Sequence, residues 1–301
     1  MKAKLPGFFR NRKYQKIALP ATAFLVLLYG GICLYYAIYI EPAKLILKQV
    51  DIHLPQWHKS WHGLRILLIS DIHAGKYQDH ERLEKIIRLA ESRSADLILL
   101  LGDYGAGYNK LDSMPPEEIG HFLARLKARY GVYAILGNHD WIYNPILFRQ
   151  ALTDAGIPIL ENESCLVSCG ERGVLELCGL PDYGTREHWF INRKIVKRKN
   201  AELPSLAMTH NPLPFILYPD QMPYDLTVSG HTHGGQVSLP LLGPVKLPLE
   251  YRIAGLVKGL KKSRDGRQIY ITSGLGNTLW DMRFGNVPEI VELVICTGTQ
   301  Q

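Results

Sequence analysis

The chain has 301 residues, 47% of them apolar, which allows one large domain or two small ones with a sizeable core. Its formal charge of +7 is concentrated at the start, where Lys2, Lys4, Arg10, Arg12, Lys13 and Lys16 all precede the first acid, Glu41. The remainder is close to neutral, which excludes a nucleic-acid partner argued from charge.

Residues 1–16 form a basic segment, and residues 17–40 hold no ionisable side chain except tyrosines and Cys33. As a helix this apolar run extends about 36 Å at ~1.5 Å per residue, enough to cross a bilayer. A cleaved signal peptide has an apolar stretch of roughly 7 to 15 residues, and no Ala-x-Ala-like site follows this one, so an uncleaved transmembrane anchor is expected. Arg10-Asn11-Arg12 lacks the adjacent pair of a twin-arginine export signal. Six positive charges before the span, against Lys44, Lys48 and Lys59 after it, put the N-terminus in the cytoplasm. The chain is thus expected as a single-pass protein of the cell membrane, with its large domain on the periplasmic or extracytoplasmic side.

Residues 41–62 read as a connecting segment and 63–301 as the domain. Leu64–Ser70, Ala95–Leu101 and Val132–Leu136 are apolar runs of strand length. Between them, Leu83, Ile86, Ile87 and Ala90, then Ile119, Phe122, Leu123 and Leu126, recur at helical spacing. Pro115-Pro116-Glu117-Glu118 suits the start of the second helix. The order β-α-β-α-β predicts parallel pairing with right-handed crossovers. Further strands are predicted over Val174–Leu180, Ser205–Met208, Leu226–Val228, Gln268–Thr272 and Ile290–Ile295, with a helix over His188–Lys199. The whole reads as an α/β domain of two sheets with helices on their outer faces. Cys165, Cys169, Cys178 and Cys296 lack zinc-site spacing and read as small buried hydrophobes.

Each of five apolar runs ends in ligand-type side chains: Asp71-Ile72-His73, Gly102-Asp103, Gly137-Asn138-His139-Asp140, Thr209-His210-Asn211 and Gly230-His231-Thr232-His233. Ligands of open α/β sheets bind beyond the carboxyl ends of the strands. Carboxylate, imidazole and amide donors without thiolate suit Mn²⁺, Fe²⁺ or Zn²⁺. Seven donors are too many for one four-coordinate ion and suit two ions about 3.5 to 4 Å apart, bridged by a carboxylate.

In this order the motifs resemble those of the calcineurin-like metallophosphoesterases, and Gly-His-Thr-His-Gly-Gly-Gln behind an N-terminal anchor resembles the family's membrane-associated bacterial branch. The resemblance implies an αββα sandwich of two mixed sheets flanked by helices. It assigns Asp71, His73 and His233 to one divalent metal, Asn138, His210 and His231 to a second, and Asp103 to the bridge. It makes His139 the group that protonates the leaving oxygen or stabilises phosphoryl charge, with a metal-bridging hydroxide as nucleophile. The protein Ser/Thr phosphatases of this superfamily continue Gly-Asp with a further Asp and an Arg; Gly102-Asp103-Tyr104-Gly105-Ala106-Gly107 has neither, which favours a diester or pyrophosphate.

Two segments bear on specificity. Arg186, His188, Trp189, Phe190, Arg193, Lys194, Lys197, Arg198 and Lys199 combine basic and aromatic groups suited to an anionic substrate or lipid surface, or simply make a solvated helix. Leu239–Leu260 is unusually apolar for a loop, as contact with acyl chains or membrane, or cover of a sheet edge, requires. The expected activity is hydrolysis of a phosphorylated small molecule or lipid, such as the diacylglucosamine nucleotide of lipid A synthesis. That substrate is cytoplasmic, whereas the charge asymmetry points the domain outward. The alternatives are an exported envelope phosphodiesterase and a non-catalytic, metal-dependent envelope-binding module.

Overall fold

A computed structural model describes residues 12–106, 111–183, 198–278 and 280–298. A long helix, α1 (Arg12–Tyr35), continues through one π-turn at Tyr36–Ile40. Its exposed Phe24, Leu25, Val26 and Leu27 are left uncovered by the rest of the protein. The segment from Pro20 to Ile40 is apolar and long enough to cross a membrane. The helix is nonetheless tied down at its C-terminal end. Arg283 N donates to Ala37 O at 2.9 Å, and Asn286 N to the buried carboxylate of Glu41 at 2.5 Å. The Arg82 guanidinium reaches the carbonyls of Pro42, Ala43 and Lys44.

Two mixed sheets follow. The first contains β1 (Ile46–His53), β2 (Arg65–Ile69), β3 (Leu97–Leu100), β4 (Val132–Ala134) and β13 (Glu289–Cys296), in the order β1-β13-β2-β3-β4. β2, β3 and β4 are parallel, as the alternating helices predict, while β13 runs antiparallel to β2 and parallel to β1. The second sheet orders as β11 (Gly259–Lys262), β12 (Gln268–Ile271), β8 (Leu226–Ser229), β7 (Ser205–Thr209), β6 (Val174–Gly179) and β5 (Glu163–Ser168). β12, β8, β7 and β6 are parallel, with an antiparallel strand at each edge.

Strand alternation divides the core into layers. Ile66 and Leu68 of β2, with Leu97 and Leu99 of β3, pack between the sheets against Leu175, Leu177, Leu206, Met208 and Val228. Their neighbours Leu67, Ile69, Ile98 and Leu100 face the outer helices α2 (His80–Glu91), α3 (Pro116–Leu123) and α5 (Pro145–Asp154). In α2, Asp79 caps the first turn by accepting from Arg82 N at 2.9 Å, and Leu83, Ile86, Ile87 and Ala90 make the buried stripe. The short helices α6 (Pro214–Leu217) and α7 (Leu249–Ile253) contribute Phe215 and Tyr251 to a cluster with Ile269 and Ile271 on the other outer face. The result is the calcineurin-like layering of helices around two mixed sheets.

Two sequence expectations change. The segment 41–62, read as a connection, contains β1, which pairs along its whole length with β13. Its edge position leaves Ile46 exposed and only Ile52 fully buried, so no clean alternation marks it. Leu239–Leu260 is not one loop: it holds the hairpin β9 (Ser238–Leu239) and β10 (Gly243–Pro244), then α7 and the start of β11. The helix expected over His188–Lys199 lies outside the described residues except for Arg198 and Lys199, which are not helical. All five cysteines are free thiols, with Cys169 and Cys178 buried.

Candidate metal centre

The ends of β2, β3, β7 and β8, with the turn after β4 that opens α4 (Asn138–Tyr143), converge on one spot. Glycine lets the loops approach. A Cβ on Gly137 would collide with the Asp103 carboxylate, and one on Gly230 with Ser70 Oγ and Asp71 Oδ2. The backbone is strained in the same place. Of the eight non-glycine residues with positive φ among those described, Asp71, His73, Asp103, His231 and His233 are candidate ligands. Left-handed backbone at such residues persists only where the surroundings over-determine it, and it clusters at functional sites.

Asp140 supplies part of that determination. Fully buried, it accepts from the backbone N–H groups of Gly137 (2.9 Å), Asp103 (2.8 Å), Tyr104 (2.8 Å) and Gly105 (3.3 Å). One carboxylate thereby locks the turn after β3 to the turn after β4.

The candidate ligands fall into two groups. Asp71 Oδ1 lies 3.5 Å from His233 Nε2, which lies 3.2 Å from His73 Nε2. In the second group, Asn138 Oδ1 lies 2.9 Å from His231 Nδ1 and 3.1 Å from His210 Nε2. Asp103 Oδ2 stands between them, 3.6 Å from His73 Nε2 and 3.1 Å from His210 Nε2. The structure therefore brings together all seven residues singled out from the sequence. His139 is adjacent, its ring centroid 4.6 Å from that of His73.

Carbonyl partners fix the imidazole tautomers, because a carbonyl only accepts. His210 Nδ1 donates to Leu101 O (2.7 Å) and His139 Nδ1 to Ala106 O (2.8 Å), while His233 Nδ1 faces both Gly276 O (3.2 Å) and the Arg283 guanidinium. Each leaves Nε2 toward the centre, the arrangement found behind metal-binding histidines. His231 is turned the other way, with Nε2 3.1 Å from Tyr251 Oη and Nδ1 inward. Sequence reasoning missed Tyr251, and it missed Arg283, a fully buried guanidinium that contacts His233 Nδ1 at 3.3 Å and donates to Ser273 O and Asn286 O. Neither carries a local signal: Tyr251 stands between Glu250 and Arg252 in a short amphipathic stretch, and Arg283 in a loop with no ligand motif.

Electrostatics divides the ligands. Burial lowers His73 and His231 to about 3 and His233 well below its ordinary value, so all three are neutral at neutral pH. Burial would lower His210 as well, but the Asp103 carboxylate outweighs it and holds the imidazole well above its usual range. Asp103 is held down in turn, against burial, by His210 and His139. Burial raises Asp71 to about 6 and Asp140 to about 8, and Asp103 adds to both.

Divalent cations fit this donor set. With Nδ1–H on Gly276 O, His233 Nε2 carries a lone pair and faces His73 Nε2 at 3.2 Å, while His73 Nδ1 is buried without a hydrogen-bond partner. A proton on Nδ1 sets two lone pairs against each other; a proton on Nε2 leaves a bare buried lone pair. A cation held by both Nε2 atoms removes the conflict. Two cavities of about 240 Å³ each open on the cluster: one lined by His73, His139, Lys76 and Gln78, the other by His231, His233, Lys246 and Tyr251. Trp280 and Thr278 line both.

The profile of the calcineurin-like phosphoesterases matches residues 64–235. Phosphodiesterase YaeI of Escherichia coli is 31% identical over 237 residues, 76% of this chain and 81% of that protein. UDP-2,3-diacylglucosamine pyrophosphatase LpxG of Chlamydia muridarum is 29% identical over 310 residues, 85% of this chain and 90% of that protein. An uncharacterized metallophosphoesterase of Campylobacter jejuni is 29% identical over 76% of this chain, which spans 57% of its length. A profile match over more than half of the chain, with a relative 31% identical across three quarters of it, makes this protein a member of the calcineurin-like phosphoesterase family.

Proposed function

We propose that the protein is a membrane-anchored, two-metal phosphoric ester hydrolase acting on a diester or pyrophosphate of a lipid-linked substrate. The observation that carries this reading is the position of Asp103 Oδ2 between two sets of nitrogen and oxygen donors. Asp71, His73 and His233 would hold one ion, Asn138, His210 and His231 the other, with Asp103 shared. Two such ions supply neutralisation of phosphoryl charge and acidify water, which a resistant anionic ester needs. Mn²⁺, Fe²⁺ and Zn²⁺ all suit the donors.

The chain's own groups do the rest. His139, fixed by Nδ1–H to Ala106 O, presents Nε2 toward the cavity it lines, where a proton on that atom serves the leaving oxygen. Trp280 lines both cavities and Tyr251 the one beside His231, so both side chains would border a bound ester. A lipid-linked substrate is favoured by similarity to the diacylglucosamine pyrophosphatase and by the apolar helix that precedes the domain.

The test strips metal from the full-length protein in detergent, restores Mn²⁺, and assays an aryl phosphodiester and a lipid-linked nucleotide pyrophosphate. Turnover is expected to vanish with the metal and return with it. His139→Ala is expected to lose roughly 10²- to 10⁴-fold in turnover while retaining its metal content. A folded protein that turns over neither substrate with any of the three metals would support the binding module instead.

A further inference from the structure

The hairpin β9–β10 exposes apolar side chains where a soluble protein would place turn formers. Its tip is Pro240-Leu241-Leu242, with Leu241 fully exposed and Leu242 71% exposed; Val245 just beyond is half exposed. Leu241 also holds φ at 66°, the left-handed region that glycine or asparagine enters most readily. Neighbouring α7 adds Leu249 and Ile253, 63% and 77% exposed. Lys246 rests its ammonium 5.2 Å from the Trp280 ring centroid, an aromatic and cationic pair of the kind that lies at headgroup level.

What covers these side chains is indicated by where the hairpin is rooted. Ser238 N donates to Phe284 O at 2.7 Å and Phe284 N to Gln236 O at 3.0 Å, so β9 grows from a pairing with Phe284. The Phe284 ring meets Tyr36 of the π-turn edge-on at 6.2 Å, and the next residue back, Arg283, bonds to Ala37 O. The hairpin is therefore joined, through one short segment, to the last turn of the apolar helix. The same region reaches the metal centre, because Tyr251 of α7 contacts His231 and Gln236 Nε2 donates to Trp280 O.

We propose that the hairpin tip, with Leu249 and Ile253, inserts into the outer layer of the bilayer that receives the N-terminal helix. The cavity lined by Lys246, Tyr251 and Trp280 then opens at the lipid interface, and a lipid-linked phosphoester reaches the site without leaving the membrane. This rests on the membrane anchoring proposed above and adds a second, independent contact.

The test uses the full-length protein in vesicles of phosphatidylethanolamine and phosphatidylglycerol, with brominated lipid as a quencher of tryptophan emission. Leu241→Trp is compared with Leu166→Trp, an exposed position on β5 at the opposite edge of the second sheet from β11; Leu242→Trp replaces the first variant should it fail to fold. The emission added at the hairpin is expected to be blue-shifted and quenched several-fold more by brominated lipid than that added at β5. Equal quenching at both positions, or quenching of the hairpin tryptophan by aqueous iodide alone, overturns the inference. A chain that fails to float with vesicles overturns the anchoring and this inference together. A chain that floats but keeps the hairpin in water overturns this inference and leaves the anchoring intact.

Discussion

His210 is the one histidine among the candidate ligands held above its ordinary protonation range, because Asp103 lies 3.1 Å from its Nε2. In the metal-free protein it carries a proton on the atom proposed to bind metal. Metal must displace that proton, so affinity for Mn²⁺ is expected to rise as pH rises above the ordinary imidazole value of 6.5. The buried histidines at about 3 are already neutral there and add no such dependence. Calorimetry in two buffers of different ionisation enthalpy should register proton release, and a pH-independent affinity would count against His210 as a ligand. The candidate ligands were legible in the sequence because short motifs follow apolar runs, so pattern and chemistry lie within a few residues. Tyr251 and Arg283 were not, since they meet their histidines only through folding, 20 and 50 positions away. The left-handed conformations were equally hidden, because Asp and His at these positions look like any polar loop.

At the scale of elements, the site depends on loops from different strands being locked to one another. Asp140 is the lock between the turns after β3 and β4. Asp140→Ala leaves four buried N–H groups without their acceptor, and each unsatisfied donor costs about 1–3 kcal/mol. A shift of the denaturation midpoint to lower denaturant is expected, together with weakened metal binding, and Asp140→Asn should lose less. An unchanged midpoint would show that the turns are held by other contacts. The elements themselves were partly legible. The β-α-β-α-β half followed from period and length, and Pro115 with Glu117 and Glu118 marked the start of α3. β1 and β5 were missed for a shared reason: edge strands with exposed faces lack the apolar run that marks β2 and β3. The hairpin β9–β10 was hidden by its inverted chemistry, with leucines where a turn residue belongs.

At the scale of the whole molecule, the basic residues before the apolar helix predict that the domain lies outside the cytoplasm. A reporter that is active only outside the cytoplasm, fused after Gln301, is expected to be active. Activity of a cytoplasm-only reporter would instead place the domain beside cytoplasmic substrates. Strand order carries a further implication about timing. β13 lies between β1 and β2, so the first sheet cannot be completed until residues 289–296 are available. β2, which leads into Asp71, lacks one of its two neighbours throughout synthesis of the preceding residues. The sheet that carries the loops after β2, β3 and β4 is therefore completed only after nearly the whole domain has been made. On the proposed two-metal reading, metal is expected to be acquired in whichever compartment receives that last strand, so that the supply of ions on that side would decide which metal the protein carries.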